Sequence, residues 1–118
     1  MNPKNAVAEY QFSERSKSEL IAASQIVATL YDYKGAEKAP AKRVTTNFLE
    51  LFRSNLLMGF NATKNQNFKK SADRVSEAIS CIEADTFADA SQKLGDAISL
   101  ATTPAQEAWE FLSEHGFL

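Results

Sequence analysis

The apolar side chains recur at intervals of three and four and nowhere sustain an alternation of two, a pattern that predicts helices and no strands. The clearest stripe is Phe68, Ala72, Val75, Ile79 and Ile82, the heptad seam of a third helix that Asn65 or Asn67 caps. Phe87, Ala90, Leu94, Ala97 (or Ile98) and Ala101 repeat it in a fourth helix capped by Asp85 or Thr86. Only Glu83-Ala84-Asp85 separates these two helices, a connection short enough to make them antiparallel neighbours. Thr103-Pro104-Ala105-Gln106 then combines an N-cap threonine, a first-position proline and a glutamine that completes a capping box. It predicts a short separate C-terminal helix with Ala105, Ala108, Trp109 and Leu112 facing inward. Gly116 marks its end, with Phe117 placed to touch Leu112.

The N-terminal half is less regular. A first helix is expected from about Ala6 to Tyr33, on Val7, Tyr10, Leu20, Ile21, Ile26, Val27, Leu30 and Tyr31, with Gly35 as a left-handed cap. Its middle, Ser13 to Ser18, is wholly polar, and Ser16 with Glu19 forms a capping box just before the apolar run. Residues 1–15 are therefore either the start of one helix about 42 Å long or a separate N-terminal arm. Pro40 opens the second helix as a first-turn proline, and Asn61 to Asn67 is a polar linker after it. Within that helix Phe48, Leu49, Phe52, Leu56, Leu57, Met58 and Phe60 spread over most of the circumference. A helix apolar on several sides is buried on more than one of them.

These elements define an all-α fold, an antiparallel helical bundle of four long helices plus a short C-terminal helix, in a single domain spanning residues 1–118. The 118 residues, rich in alanine, leucine, glutamate and lysine, suffice for one such core without disulfides. Residues 85–112 resemble a tetratricopeptide helix in the spacing of Ala90, Leu94 and Ala97. Residues 1–60 carry no matching 34-residue period, and the chain is assigned to no family.

Cys81 is the sole cysteine, which excludes an intramolecular disulfide framework. Met1 to Tyr10 lack the apolar core of a signal peptide, and Phe48 to Phe60, interrupted by Glu50 and Arg53, is too short to span a bilayer. The expectation is a cytoplasmic protein without membrane contact, in which the Asn61-Ala62-Thr63 glycosylation pattern is not used.

Charge adds a second feature. Residues 1–74 hold 12 basic and 7 acidic side chains, a net of +5, whereas residues 75–118 hold Lys93 against 8 acidic ones, a net of −7. The halves either pair within the bundle or orient a contact between molecules. Lys42, Arg43, Lys64, Lys69, Lys70 and Arg74 form a candidate basic patch. Nucleic-acid binding needs such a patch to be continuous, since affinity accumulates over many phosphate contacts.

Side chains for catalysis are scarce. His115, the one histidine, lies at the C-terminal cap, where it is expected to interact with the helix end in solvent. Cys81 flanks the third helix's seam as a small core residue, and no Glu-x-x-His pair occurs. Glu83, Asp85 and Asp89 lack the graded spacing and glycine of a calcium loop. No cofactor, metal or enzymatic activity is expected. The function expected is a non-enzymatic interaction module (adaptor, small chaperone or assembly subunit) that binds a protein partner or itself as a homo-oligomer. Phe48, Leu49, Phe52, Leu56, Leu57, Met58 and Phe60 supply its face. An accessory role in a nucleic-acid complex through the basic patch ranks second. Capture of a basic partner by the acidic C-terminal half ranks third.

Overall fold

A computed structural model describes residues 2–117. Four helices pack together: α1 (Pro3–Ala28), α2 (Lys38–Thr63), α3 (Gln66–Glu83) and α4 (Phe87–Glu114), with no strand among the described residues. Two short 3-10 turns, Thr29–Asp32 and Gly35–Glu37, join α1 to α2. Each helix lies antiparallel to its neighbours. Along α1, Phe12 meets Gly59 and Glu19 meets Asn55 of α2, while Glu9 faces Glu107 and Ser13 meets Ala101 of α4. On α3, Ser71 reaches Ala97 and Glu77 reaches Lys93 of α4. The ring α1–α2–α3–α4 closes as an up-down-up-down bundle.

The stripes predicted for α3 and α4 are the core. Phe68, Ala72, Val75, Ile79 and Ile82 are buried, as are Phe87, Ala90, Leu94, Ala97 and Ala101, against Leu20, Ala23 and Val27 of α1, Leu30 of the turn that follows it, and Leu49 and Leu56 of α2. Gly59 allows α2 to lie against the ring of Phe12, which packs edge-on to Phe68. Toward the other end a smaller cluster of Ala6, Ala108 and Leu112 holds α1 to α4. Small residues there bring the two backbones close.

The helix boundaries differ from the expected ones in three places. First, α1 begins at Pro3 and runs unbroken through Ser16, so the Ser16 capping box starts nothing and residues 3–15 are part of the bundle. Asn2 caps the helix by accepting from the Asn5 amide at 2.8 Å, and Pro3 follows at the first position. The polar run is tolerated because Ser13 and Ser16 are small enough to be buried in the helix contact. Second, α1 ends at Ala28 rather than Tyr33; Gly35 adopts the expected left-handed φ of 61°, but inside the linker.

Third, the separate C-terminal helix is not present: α4 continues through Pro104 to Glu114. The proline removes one amide, and the ladder is mended from α1 by Ser13, whose Oγ accepts from the Ala105 amide at 3.1 Å and donates to the Ala101 carbonyl. Thr103 folds back to donate to the Ser99 carbonyl instead of capping a new helix. Within this segment Ala105, Ala108 and Leu112 are buried, but Trp109 is exposed.

The two tight ends share one device. Gly116 at φ 75° lets the Phe117 amide reach the Leu112 carbonyl and its own amide reach Ser113, a Schellman closure. Asp85 at φ 63° does the same after α3, with Thr86 bonded to Cys81 and Asp85 to Ile82. Aspartate tolerates that left-handed backbone better than most residues.

Candidate interaction surface

Helix α2 carries two parallel heptad rows. The inner row is Thr45, Leu49, Phe52, Leu56, Gly59 and Thr63; the outer is Val44, Phe48, Leu51, Asn55 and Met58. They differ by one residue in register, or about 100° around the axis, so one helix presents an apolar arc wider than a single contact requires. The inner row fills the core: Leu49 is 0% and Leu56 1% exposed, with Phe52 packed against them. The outer row is uncovered: Val44 is 54% exposed, Phe48 44%, Leu51 54% and Met58 53%. Only Asn55 in that row is buried, its amide donating to Glu19 of α1 at 2.7 Å.

The expected face is thus divided. Phe48 and Met58 lie in the exposed row, Leu49 and Leu56 are core, and Phe52, Leu57 and Phe60 are half-buried against it. Val44 and Leu51 belong to the exposed row but were not among the residues expected there. Their signal in the sequence is the four-three-four-three spacing from Val44 to Met58. Beside Val44 opens a groove of about 550 Å³ between the end of α1 and the start of α2, lined among others by Ile26, Leu30, Tyr33, Pro40 and Ala41. Val44 also borders a shallower hollow with Asn47, Phe48 and Leu51.

The basic residues fall into two groups near opposite ends of α2 and not into one patch. Lys42 and Arg43 begin α2 and Lys64 ends it, about 32 Å away along the axis. Lys42 is engaged, its Nζ 2.7 Å from Asp85 and donating to the Glu83 carbonyl at 3.1 Å, where a cation suits the C-terminus of α3. Lys38 joins the same carboxylate at 2.9 Å. Lys42 and Lys38, which donate to it, hold the Asp85 carboxyl below its usual range. The oppositely charged halves therefore meet inside one chain at this turn. At the far end Lys64 and Lys69 both lie over the Phe60 ring, each 5.8 Å from its centre. Lys70 is exposed, and Arg74 is bonded to Glu77 at 2.9 Å.

His115 is exposed, its Nδ1 2.8 Å from the Phe111 carbonyl and its ring stacked on Phe111 at 4.1 Å. Cys81 is half-buried against the core. Among the described residues no three His, Cys, Asp or Glu side chains are grouped so as to hold a metal ion.

One polar feature was not anticipated. Glu9 is buried in α1; its Oε1 accepts from Asn5 and from Asn65, both at 3.3 Å, while Oε2 has no hydrogen-bond partner. Burial pushes its carboxyl pKa up, and Glu107 adds to this, against the opposing amides of Asn65 and Asn5. Asn65 is also the N-cap of α3, so Glu9 ties α1 to the turn between α2 and α3.

The chain matches no family model, no curated protein and no solved structure. The structure itself defines the class, a four-helix bundle; among the described residues no helix is long and apolar enough to cross a membrane.

Proposed function

We propose that the chain is a non-enzymatic protein–protein interaction module, an adaptor, small chaperone or assembly subunit, acting in the cytoplasm through the outer row of α2. It docks a protein partner, itself, or both, and uses no cofactor. One observation carries this reading: Val44, Phe48, Leu51 and Met58 stand uncovered at heptad spacing on a helix whose other row already fills the core. Leaving so regular a seam in water forgoes burial worth about 25 cal/mol per Å², and a docked helix recovers it. The separation of Lys42 and Arg43 from Lys64, Lys69 and Lys70 weighs against a nucleic-acid role.

The two rows of α2 provide the test. Phe48→Asp with Leu51→Asp should leave helix content and thermal melting near those of the wild type, because both positions face water. The same pair should abolish assembly, whether with itself or with a co-purified protein. Leu49→Asp, on the inner row, should unfold the bundle. Unchanged assembly in a folded Phe48→Asp/Leu51→Asp variant would remove the seam from the function.

A further inference from the structure

We propose that the groove between the end of α1 and the start of α2 is a binding site for a small molecule with an apolar body and a protonated amine. The inference stands apart from the α2 seam and requires no partner there.

The groove exists because small side chains stand where the bundle elsewhere has large ones. Farther along α2, Leu49 and Leu56 fill the space beside α1. At this end α2 offers Pro40, Ala41 and Thr45 instead, and the linker offers Ala36. Ile26 and Leu30 face them across an open cavity of about 550 Å³. That volume lies within the roughly 300–1,000 Å³ of small-molecule pockets, which bundles place between their helices. Tyr33 and Val44, 41% and 54% exposed, complete the apolar lining. An apolar body settling there would cover both and leave water itself.

The polar groups select the head. Thr29, Tyr33, Glu37 and Thr45 are the lining residues with polar side chains. Both threonines have spent their protons, Thr29 donating to the Ile26 carbonyl at 2.7 Å and Thr45 to the Ala41 carbonyl at 2.8 Å. Toward a ligand they are acceptors. Glu37 is an exposed carboxylate that forms no ion pair among the described residues. Backbone donors are scarce as well. The Tyr33, Glu37 and Lys38 amides already bond the Leu30, Lys34 and Gly35 carbonyls, and Pro40 has no amide. Lys38 and Lys42 are held by Asp85, and neither they nor Lys34 line the groove.

An ammonium head, which only donates and is positive, fits this inventory. A carboxylate would meet Glu37 and find the Tyr33 hydroxyl as its one side-chain donor. Because Glu37 is exposed, its pairing decides between ligands by a few-fold, while apolar contact supplies most of the affinity.

The test is titration of the full chain with 2-phenylethylamine, its neutral counterpart 2-phenylethanol and 3-phenylpropionate, followed by amide proton–nitrogen correlation NMR. The amine should shift amides of residues 26–45 with a Kd on the order of 1 mM or tighter. The alcohol should bind about threefold more weakly, and the carboxylate more weakly still. Glu37→Gln should erase the preference for the amine and leave the alcohol unchanged. Ala41→Leu should fill the groove and abolish binding of all three. Ala36→Leu, in the exposed linker, serves the same purpose should Ala41→Leu fail to fold by circular dichroism. No shifts from any of the three compounds overturns the site. Equal affinities, or tightest binding of the carboxylate, overturn the ligand class. Binding that survives both filling substitutions overturns the location. Phe48→Asp with Leu51→Asp lies outside the groove and should leave amine binding intact, even if it abolishes assembly. Loss of the amine in that folded variant would move the site onto the seam and overturn this one.

Discussion

Ser13 on α1 repairs the backbone of α4 beside Pro104. Its hydroxyl stands between the amide of Ala105, 3.1 Å away, and the carbonyl of Ala101, two groups that would bond each other directly in an uninterrupted helix. Ser71 of α3 reaches the neighbouring Ala97 carbonyl at 2.7 Å, so both flanking helices hold the same stretch of α4 through a buried serine. A proline that would otherwise break the helix is thereby absorbed into a continuous element of 28 residues.

Removing this hydroxyl should be costly only while the proline is present. Ser13→Ala leaves the Ala105 amide and Ala101 carbonyl without their bridge in a dry contact, and should lower stability by about 1–3 kcal/mol. In a Pro104→Ala background the regular ladder closes, and the same substitution should cost less. Urea unfolding of the four-member cycle should give a coupling of about 0.5–3 kcal/mol. Strict additivity would show that the serine merely fills space.

That relationship also shows where sequence reading stops. The stripes through Phe68–Ile82 and Phe87–Ala101 were legible because one face of each helix meets the core and the spacing records it directly. Thr103-Pro104-Ala105-Gln106 reads locally as a helix start, and the residue that overrides it lies 92 positions from Ala105. Asn2-Pro3 was a legible start signal for α1, hidden by the polar run Ser13–Ser18, which is buried through small size rather than apolarity. For the surface, the apolar excess of α2 was visible, but its division was not. Val44 and Leu49 are equally apolar on paper, and only the placement of α1 and α3 decides which one is covered.

Burial of Glu9 makes a pH prediction with a definite sign. Its folded-state pKa is raised above the ordinary 4.5, so the folded protein takes up the proton first as pH falls. The stability this contributes is complete below 4.5 and is lost as pH rises through the raised value. At neutral pH the buried charge is a burden, and Glu9→Gln, which keeps an acceptor for Asn5 and Asn65, should raise the melting temperature. The advantage should shrink on acidification through the raised value and vanish below the ordinary 4.5. A variant less stable than wild type at neutral pH would mean that the carboxylate charge itself holds the turn.

Asp85 should behave in the opposite sense. Its carboxyl lies below the ordinary 3.8 because Lys42 and Lys38 bond it, so its contribution is present above that value and is lost as pH falls through the lowered one. Asp85→Asn retains a residue that accepts the left-handed backbone and removes only the charge. A modest drop in melting temperature is expected at neutral pH, weaker in high salt because the pair is exposed, and absent in strong acid. A loss that persists in acid would assign the effect to the turn.

The dispersal of the basic residues leads to a negative expectation that is equally sharp. Salt-sensitive binding to a nucleic acid accumulates from several phosphates neutralised together. Here Lys42 is committed to Asp85, Arg74 to Glu77, and Lys64 and Lys69 lie over Phe60 some 32 Å from Arg43. The cations left at either end are too few to act as one surface. Fluorescent single-stranded and duplex oligonucleotides titrated at about 50 mM salt should therefore show no binding in the micromolar range. Tight binding that falls steeply with added salt and weakens on Lys64→Ala with Lys69→Ala would reverse the order of the readings. It would make the end of the bundle around Phe60, rather than the α2 seam, the working surface.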